Sequence, residues 1–342
     1  MKLSVIVPVY NMASDDRLSY TMDCLLHQTI RDFEIVAVDD CSTDASGQIL
    51  QELQRQHPDL VKVYRTPRNL HQGGAKNLGL LHASGDFIAF IDADDWVVPD
   101  YFERLLNRAE ATGADVVGTD YSLVYEHTMT PGRVVHNNQP SQAGVLDEDR
   151  LRSLMLDFGS LCVKIFRREI ILDCPSRFPE GIFYEDNALA RTWVSRMHRF
   201  EYIPEPLYFY YQHSDSTVHT VTRQRLEDRL TSARIMLKEA RHYGYFDRFR
   251  PELEYSFLVL FYKNTLFSCM RQMREKGKYT FIRGLGREMS RTFPDFEKNP
   301  YYRERTNEEE QHFLHLCIHA PLRFYVSYQL LWWLRDHWYG KS

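Results

Sequence analysis

Three carboxylates in four residues, Asp92-Ala93-Asp94-Asp95, follow directly on the apolar run Phe87-Ile88-Ala89-Phe90-Ile91. Acids gathered at the end of a buried segment repel one another and lose hydration, so the arrangement is costly without a counter-cation. Hard oxygen ligands suit Mg²⁺ or Mn²⁺, and a diphosphate would complete the coordination shell. A solvated acidic turn is the alternative, because Pro99 and Asp100 open a helix soon afterwards. A second acidic loop, Val38-Asp39-Asp40-Cys41-Ser42-Thr43-Asp44, closes another apolar run. Two adjacent carboxylates there call for donors, and a nucleobase with ring N–H groups is such a partner. Ser42, Thr43 and Asp44 are also good helix N-caps. A third group, Tyr184-Glu185-Asp186-Asn187, lies between Phe178-Pro179-Glu180-Gly181 and a helical stretch from Leu189 to Val194. Read alone, it is a capped helix start with acids placed favourably on the dipole.

The elements that must hold these residues are legible in the first 115 residues. Ser4 to Val7, Phe33 to Val38, Val61 to Tyr64 and Phe87 to Ile91 are short, continuously apolar strands, with helical patterns at Tyr20 to Gln28 and Ser46 to Gln56 between them. This alternation predicts an α/β fold with a mostly parallel sheet covered on both faces. Ligands bind beyond the carboxyl ends of such strands, where both acidic loops fall. Between Val116 and Thr220 the texture is mixed, with strands expected near Val116 to Thr119 and Leu207 to Tyr210. Beyond it lie helical periodicities from Leu226 to Tyr243 and Leu253 to Met273, with Pro294 and Pro300 breaking the chain before the last helices. The expected organisation is a catalytic domain over 1–220, divided into a nucleotide-binding half (1–115) and an acceptor half (116–220), followed by a helical region over 221–342.

Composition narrows the function classes. With 44% hydrophobic and 26% charged residues, the chain can build a core without disulfides or structural metals. A net charge of -5 and a pI near 6.3 exclude a protein built to coat nucleic acid. The six cysteines show no CxxC pair, which argues against zinc ribbons and disulfide frameworks and for a reducing, cytoplasmic setting. The apolar start is too short for a secretory leader and holds Pro8. No stretch reaches the ~20 apolar residues of a membrane span.

Taken in order, the motifs resemble glycosyltransferase family 2, whose members share the GT-A fold. Ser4-Val5-Ile6-Val7-Pro8-Val9-Tyr10-Asn11 is similar to that family's opening strand and loop, and Val38 to Asp44 to its second signature. Asn69 with Ala75-Lys76-Asn77-Leu78-Gly79 resembles its N-x-G…A-R-N-x-G segment, although His71 stands in place of a glycine and Lys76 in place of an arginine. Ala83-Ser84-Gly85-Asp86-Phe87-Ile88 leads into Asp92-Ala93-Asp94-Asp95 and Pro99-Asp100 as the family does, and Glu185-Asp186 falls where it keeps its base. Tyr210 to Ser216 resembles its Y-R-x-H-x-x-S segment, with Tyr211 replacing the arginine.

The resemblance implies a donor site in which Pro8 and Tyr10 pack on the base and Asp40 accepts its imide N–H, a pairing that favours uracil. Asn69 and Lys76 would lie near the nucleotide, Lys76 at a phosphate or the ribose. Asp92 would sit by ribose and metal, Asp94 would bind the Mn²⁺ or Mg²⁺, and His213 is either a further ligand or a plain loop histidine. Asp186 would be the base and Glu185 an orienting neighbour. One base without a second carboxylate nucleophile implies a single inverting displacement on a UDP-sugar. Acceptors in the family include lipid-linked and cell-surface glycans.

Two rivals remain. A sugar nucleotidyltransferase would need a Gly-rich basic loop after the first strand, and here that loop is Pro8-Val9-Tyr10-Asn11-Met12-Ala13-Ser14. A nucleotide-sugar-binding subunit without turnover would not need Asp92, Asp94 and Asp186 together. His312 to Trp338 carries Phe313, Leu316, Leu322, Phe324, Tyr325, Tyr328, Leu331, Trp332, Trp333 and Trp338. This aromatic and basic tail is open to three readings: packing on its own core, a peripheral contact with the inner membrane face, or a homodimer contact.

Overall fold

The structure, a computed structural model, describes residues 1–213 and 221–338, apart from the side chains of Asp336 and Trp338. Ser214, Asp215 and Ser216, part of the histidine segment above, lie outside the described residues. The chain forms two compact units, Met1–Ser216 and Thr217–Ser342.

The first unit is built on a ten-stranded mixed sheet. Its parallel half comprises β1 (Leu3–Val9), β2 (Phe33–Asp39), β3 (Val61–Arg65) and β4 (Phe87–Phe90), connected through α1 (Arg17–Leu26), α2 (Ser46–Gln56) and α3 (His71–His82). Every residue of β1, β2 and β4 is buried, as their largely apolar sequences require of strands covered on both faces. The two-residue β5 (Trp96–Val97) and α4 (Tyr101–Thr112) lead to β6 (Val116–Val124), β7 (Arg133–Val135), β8 (Gly144–Val145) and α5 (Glu148–Leu156). Then come β9 (Lys164–Arg167), α6 (Arg168–Leu172), α7 (Glu185–Val194) and β10 (Arg199–Tyr211).

Across the sheet the order is β3-β2-β1-β4-β9-β6-β10-β5. β9 runs antiparallel to both β4 and β6, so it joins the two halves of the sheet. The expectation of a mostly parallel sheet therefore holds for β1 to β4, while the second half is mixed. One core runs beneath both, from Leu3 and Leu18 through Phe102 and Leu105 to Ile165 and Tyr208.

The second unit is helical: α8 (Arg223–His242), α9 (Arg250–Phe257), α10 (Asn264–Gln272), α11 (Lys278–Thr292), α12 (Pro300–Arg305), α13 (Glu308–His319) and α14 (Pro321–Trp338). The periodicity from Leu253 to Met273 is interrupted by a π-helical turn over Leu258–Lys263. The aromatic tail divides. Phe313, Leu316, Phe324 and Tyr328 are buried, which the core-packing reading requires. Leu322, Val326, Leu330, Trp333 and Leu334 instead form an exposed ridge at helical spacing along α14. Among the described residues no helix is long and apolar enough to cross a membrane.

Candidate active site

The loops that follow β1 and β2 are laced together by side chains standing in for backbone partners. Asn11 N–H donates to Ser42 Oγ (3.1 Å), Met12 N–H to Ser46 Oγ (2.8 Å) and Ala13 N–H to Asp44 Oδ2 (2.9 Å). Asn11 Oδ1 in return accepts from Thr43 N–H at 2.8 Å. Asp44 also accepts from Ser46 N–H at 2.9 Å, a local turn bond; the N-cap of α2 is Ala45, without a side-chain cap, so the N-cap expectation for Ser42, Thr43 and Asp44 is not met. Asp39 is likewise structural, taking Ser42 N–H (2.8 Å) and Arg65 Nη1 (2.6 Å).

Asp40 is buried, and it accepts from Thr66 Oγ1 (2.8 Å) and Leu70 N–H (2.9 Å). This ties the loop after β2 to the start of α3. Pro8 is buried in β1, whereas Tyr10 at its carboxyl end is 42% exposed, a ring face open to a planar partner. Asn69 Oδ1 takes His71 N–H at 3.0 Å. His71 has φ +58°, a left-handed position where glycine is the easy residue, which explains the family's preference there.

The acid turn after β4 is held from two sides. Thr21 Oγ1 on α1 donates to Ala93 C=O (3.1 Å), and Asp95 accepts both Tyr208 O–H (2.6 Å) and Tyr211 N–H (2.9 Å). Asp95 is thus a clasp between the turn and the end of β10, two residues before His213. Burial, then the neighbouring Asp94 and Asp92, pushes the Asp95 carboxyl well above its ordinary range. His213 Nε2 lies 2.9 Å from Asp94 Oδ2, and its Nδ1 lies 3.1 Å from Arg17 Nη1. A guanidinium only donates, so Nδ1 is the acceptor and Nε2 carries the proton given to Asp94.

Asp92 is held by other groups. It accepts from Gln72 Nε2 (3.3 Å) and Cys162 Sγ (3.4 Å), and burial raises its carboxyl to about 6 against the opposing pull of Lys76.

Lys76 is the hub. Its ammonium is buried, donating to Glu185 Oε1 (2.7 Å) and Gln72 Oε1 (3.1 Å). Burial alone would lower its pKa, but Glu185, Cys162, Asp92 and Asp186 together hold it above the ordinary value. The residue expected at a phosphate or the ribose therefore gives its charge to acids of α7. Asp186 is half-buried and its carboxyl is raised, first by burial and then by Glu185, with Lys76 opposing. Asn187 N–H (2.8 Å) and Nδ2 (2.9 Å) both bond its Oδ1, leaving Oδ2 without a partner among the described residues.

The segment before α7 is seated on α3 by fit and by a clamp. A Cβ added at Gly73 would lie 2.2 Å from Pro179 O, so only glycine lets α3 pack this closely. Asn77 donates Nδ2–H to Phe178 C=O (2.9 Å) and accepts Phe178 N–H (3.0 Å). Asn77→Ala should cost about 1–3 kcal/mol, the loss of two backbone partners. A shift in urea midpoint without a change in slope would measure it.

Strain is concentrated around the same loops. Among the described residues, six non-glycine residues have positive φ, Asn11, Asp15, Asp16, Cys41, His71 and Tyr184, and they lie after β1, after β2, at the start of α3 and just before α7.

The donor chemistry fits a hard divalent cation. Asp94 and His213 are already in contact, Asp92 adds charge nearby, and a diphosphate supplies the remaining oxygens such ions prefer. The three side chains do not draw their ligand atoms within 4.8 Å of one another. A metal on His213 Nε2 also requires the opposite tautomer and release from Arg17. Sequence reasoning missed Arg17, Gln72, Cys162 and the clasp at Asp95. Only Gln72 left a trace, its i, i+4 spacing from Lys76.

Comparison with known proteins agrees with this architecture. The sequence profile of glycosyl transferase family 2 matches residues 4–172. The chain is 31% identical over 218 residues to the glycosyltransferase GlyA of Streptococcus pneumoniae serotype 4, covering 61% of this chain and 30% of that protein. It is 35% identical over 118 residues to a poly(ribitol-phosphate) beta-glucosyltransferase of Bacillus spizizenii, covering 34% of this chain and 18% of that one. The chain thus spans less than a third of the length of either relative. The crystal structure of S. aureus TarS 1–349 superposes with a TM-score of 0.67 at 20% identity, covering 95% of this chain and 89% of that one. The same protein in complex with UDP-GlcNAc gives 0.63 at 20% identity, with 93% and 91% covered. Residues 4–172 thus carry the sequence signature of glycosyltransferase family 2, and the superposition gives the chain the GT-A fold.

Proposed function

We propose that the chain is a metal-dependent, inverting glycosyltransferase that moves one sugar from a UDP-sugar to an acceptor hydroxyl on a glycan or lipid-linked chain. The observation that carries this reading is the convergence on Lys76. Asp92 from the acid turn and Glu185-Asp186 from α7 gather around one buried ammonium, so the leaving-group and proton-accepting ends of a displacement share one site. The UDP-GlcNAc complex of TarS supports a uridine carrier, and the poly(ribitol-phosphate) relative supports a hydroxyl acceptor in a surface polymer.

The chain's own residues divide the work. Tyr10 presents its ring to the base, and Asp40, with two partners already, keeps acceptor capacity for an imide N–H. Asn69 and Gln72 border the nucleotide. Asp94 and His213 would hold Mn²⁺ or Mg²⁺, which when bound supplies Lewis-acid charge to the departing diphosphate. Glu185, fixed by Lys76, orients the start of α7. Asp186 takes the acceptor's proton through Oδ2 as the acceptor oxygen attacks from the face opposite the diphosphate. Positioning both reactants in line provides much of the acceleration.

A nucleotide-release assay with Mn²⁺ against UDP-glucose, UDP-galactose and their N-acetyl forms tests this reading. Release of UDP from at least one donor is expected, and release from none with an intact donor-binding isotherm would leave a binding subunit instead.

An acceptor carried on lipid would bring the enzyme to a membrane surface. The ridge Leu322, Val326, Leu330 and Trp333 is the part of α14 fitted to meet it. Replacing Leu330 and Trp333 by serine should then reduce co-sedimentation with anionic liposomes severalfold. Unchanged sedimentation together with loss of a dimer in solution would assign the ridge to self-association.

A further inference from the structure

We propose a second divalent-metal site in the helical unit, formed by Glu297, His315 and His319 and suited to Zn²⁺. His315 and His319 are one turn apart on α13, so both imidazoles leave the same side of the helix. Their ring centroids are 4.2 Å apart at 36°. Glu297, in the short 3₁₀ turn Phe296–Lys298, reaches His315 Nδ1 at 2.8 Å. One ligand atom from each of the three residues lies within 4.8 Å of the others, a convergence found nowhere else among the described residues.

Two imidazoles and one carboxylate are the ligand set of an open zinc site, in which water completes the tetrahedron. The imidazoles argue against Mg²⁺ and Ca²⁺, which prefer oxygen alone. Zinc needs its ligand atoms about 3.4 Å apart, given tetrahedral bonds of about 2.1 Å. Both histidines are exposed and Glu297 is half-buried, so small side-chain rotations close the gap. An exposed ion pair between His315 and Glu297 contributes little by itself. A shared metal gives the arrangement a purpose: it staples the turn before α12 to the last turn of α13. The ligand set is separate from Asp92, Asp94 and His213, so the site does not depend on the catalytic assignment.

The test uses the full chain at pH 7.5, where metal must compete with few protons for the imidazoles. Zinc is titrated into Asp94→Asn, which removes the catalytic carboxylate, and into the same variant carrying His319→Gln or His315→Gln. The expected result is one Zn²⁺ bound by Asp94→Asn and a rise in its Tm with zinc. Either histidine change should weaken that binding by about tenfold or more. In an otherwise native chain, His319→Gln should leave Mn²⁺-supported donor turnover unchanged. No zinc bound by Asp94→Asn, or an affinity in the histidine variants equal to that of Asp94→Asn, would overturn the proposal. Because both histidines are exposed, circular dichroism of the histidine variants is expected to match that of Asp94→Asn.

Discussion

Asp186→Asn should lose sugar transfer by about 10²–10⁴-fold, the usual worth of a positioned general base, while donor affinity stays near that of the parent. The side chain keeps its shape and its bonds to Asn187 N–H, but its Oδ2 position can no longer take a proton. The pH profile separates this cause from a structural one. Burial and Glu185 raise the Asp186 carboxyl, so in the parent kcat/KM should fall as pH drops through that raised value. The asparagine variant should lack that limb.

Stability moves the other way. A carboxyl whose folded pKa exceeds its unfolded one disfavours the native state once ionised, and its penalty fades as pH falls through the folded value. At pH 7–8 the variant should therefore be as stable as the parent or slightly more so. Loss of turnover with undiminished stability is the signature of a base; full transfer by the variant would remove Asp186 from that role.

Asp94→Ala is the second large effect. It deletes the carboxylate that His213 Nε2–H meets at 2.9 Å and with it the best ligand in the acid turn. Donor binding should stop responding to Mn²⁺, and transfer should fall on the order of 10³-fold, equivalent to about 4 kcal/mol of leaving-charge stabilisation. Calorimetry of UDP binding with and without Mn²⁺ reads the first effect directly. Metal-stimulated affinity equal to that of the parent would show that the ion is held elsewhere. The fold should survive, because the turn is clasped independently through Asp95 and Thr21.

How much of this was legible in the residues depended on how local each signal was. The strands β1, β2 and β4 announced themselves because burial on both faces leaves a largely apolar run, unbroken in Phe87-Ile88-Ala89-Phe90-Ile91. Their carboxyl ends then located both acidic loops. β9 did not, since Lys164-Ile165-Phe166-Arg167 is only four residues long and charged at both ends. α3 was hidden by Gly73, Gly74 and Gly79, which weaken helical propensity. The structure shows why they are there: a Cβ at Gly79 would lie 2.5 Å from Ile6 Cγ2 and one at Gly73 would strike Pro179.

Roles set by distant pairing were the least readable. Lys76 meets Glu185 across 109 residues, and nothing near either position distinguishes an ion pair from a phosphate contact. The same holds for Cys162 against Asp92 and Arg17 against His213, which are joined only by the closure of the sheet.

The most direct trial is a crystal structure of the chain with UDP and Mn²⁺ bound. The ion should sit about 2 Å from an Asp94 oxygen and from the diphosphate, with Arg17 withdrawn from His213 wherever His213 joins the shell. An ion bound to the nucleotide alone, with Asp94 still paired to His213, would contradict the account.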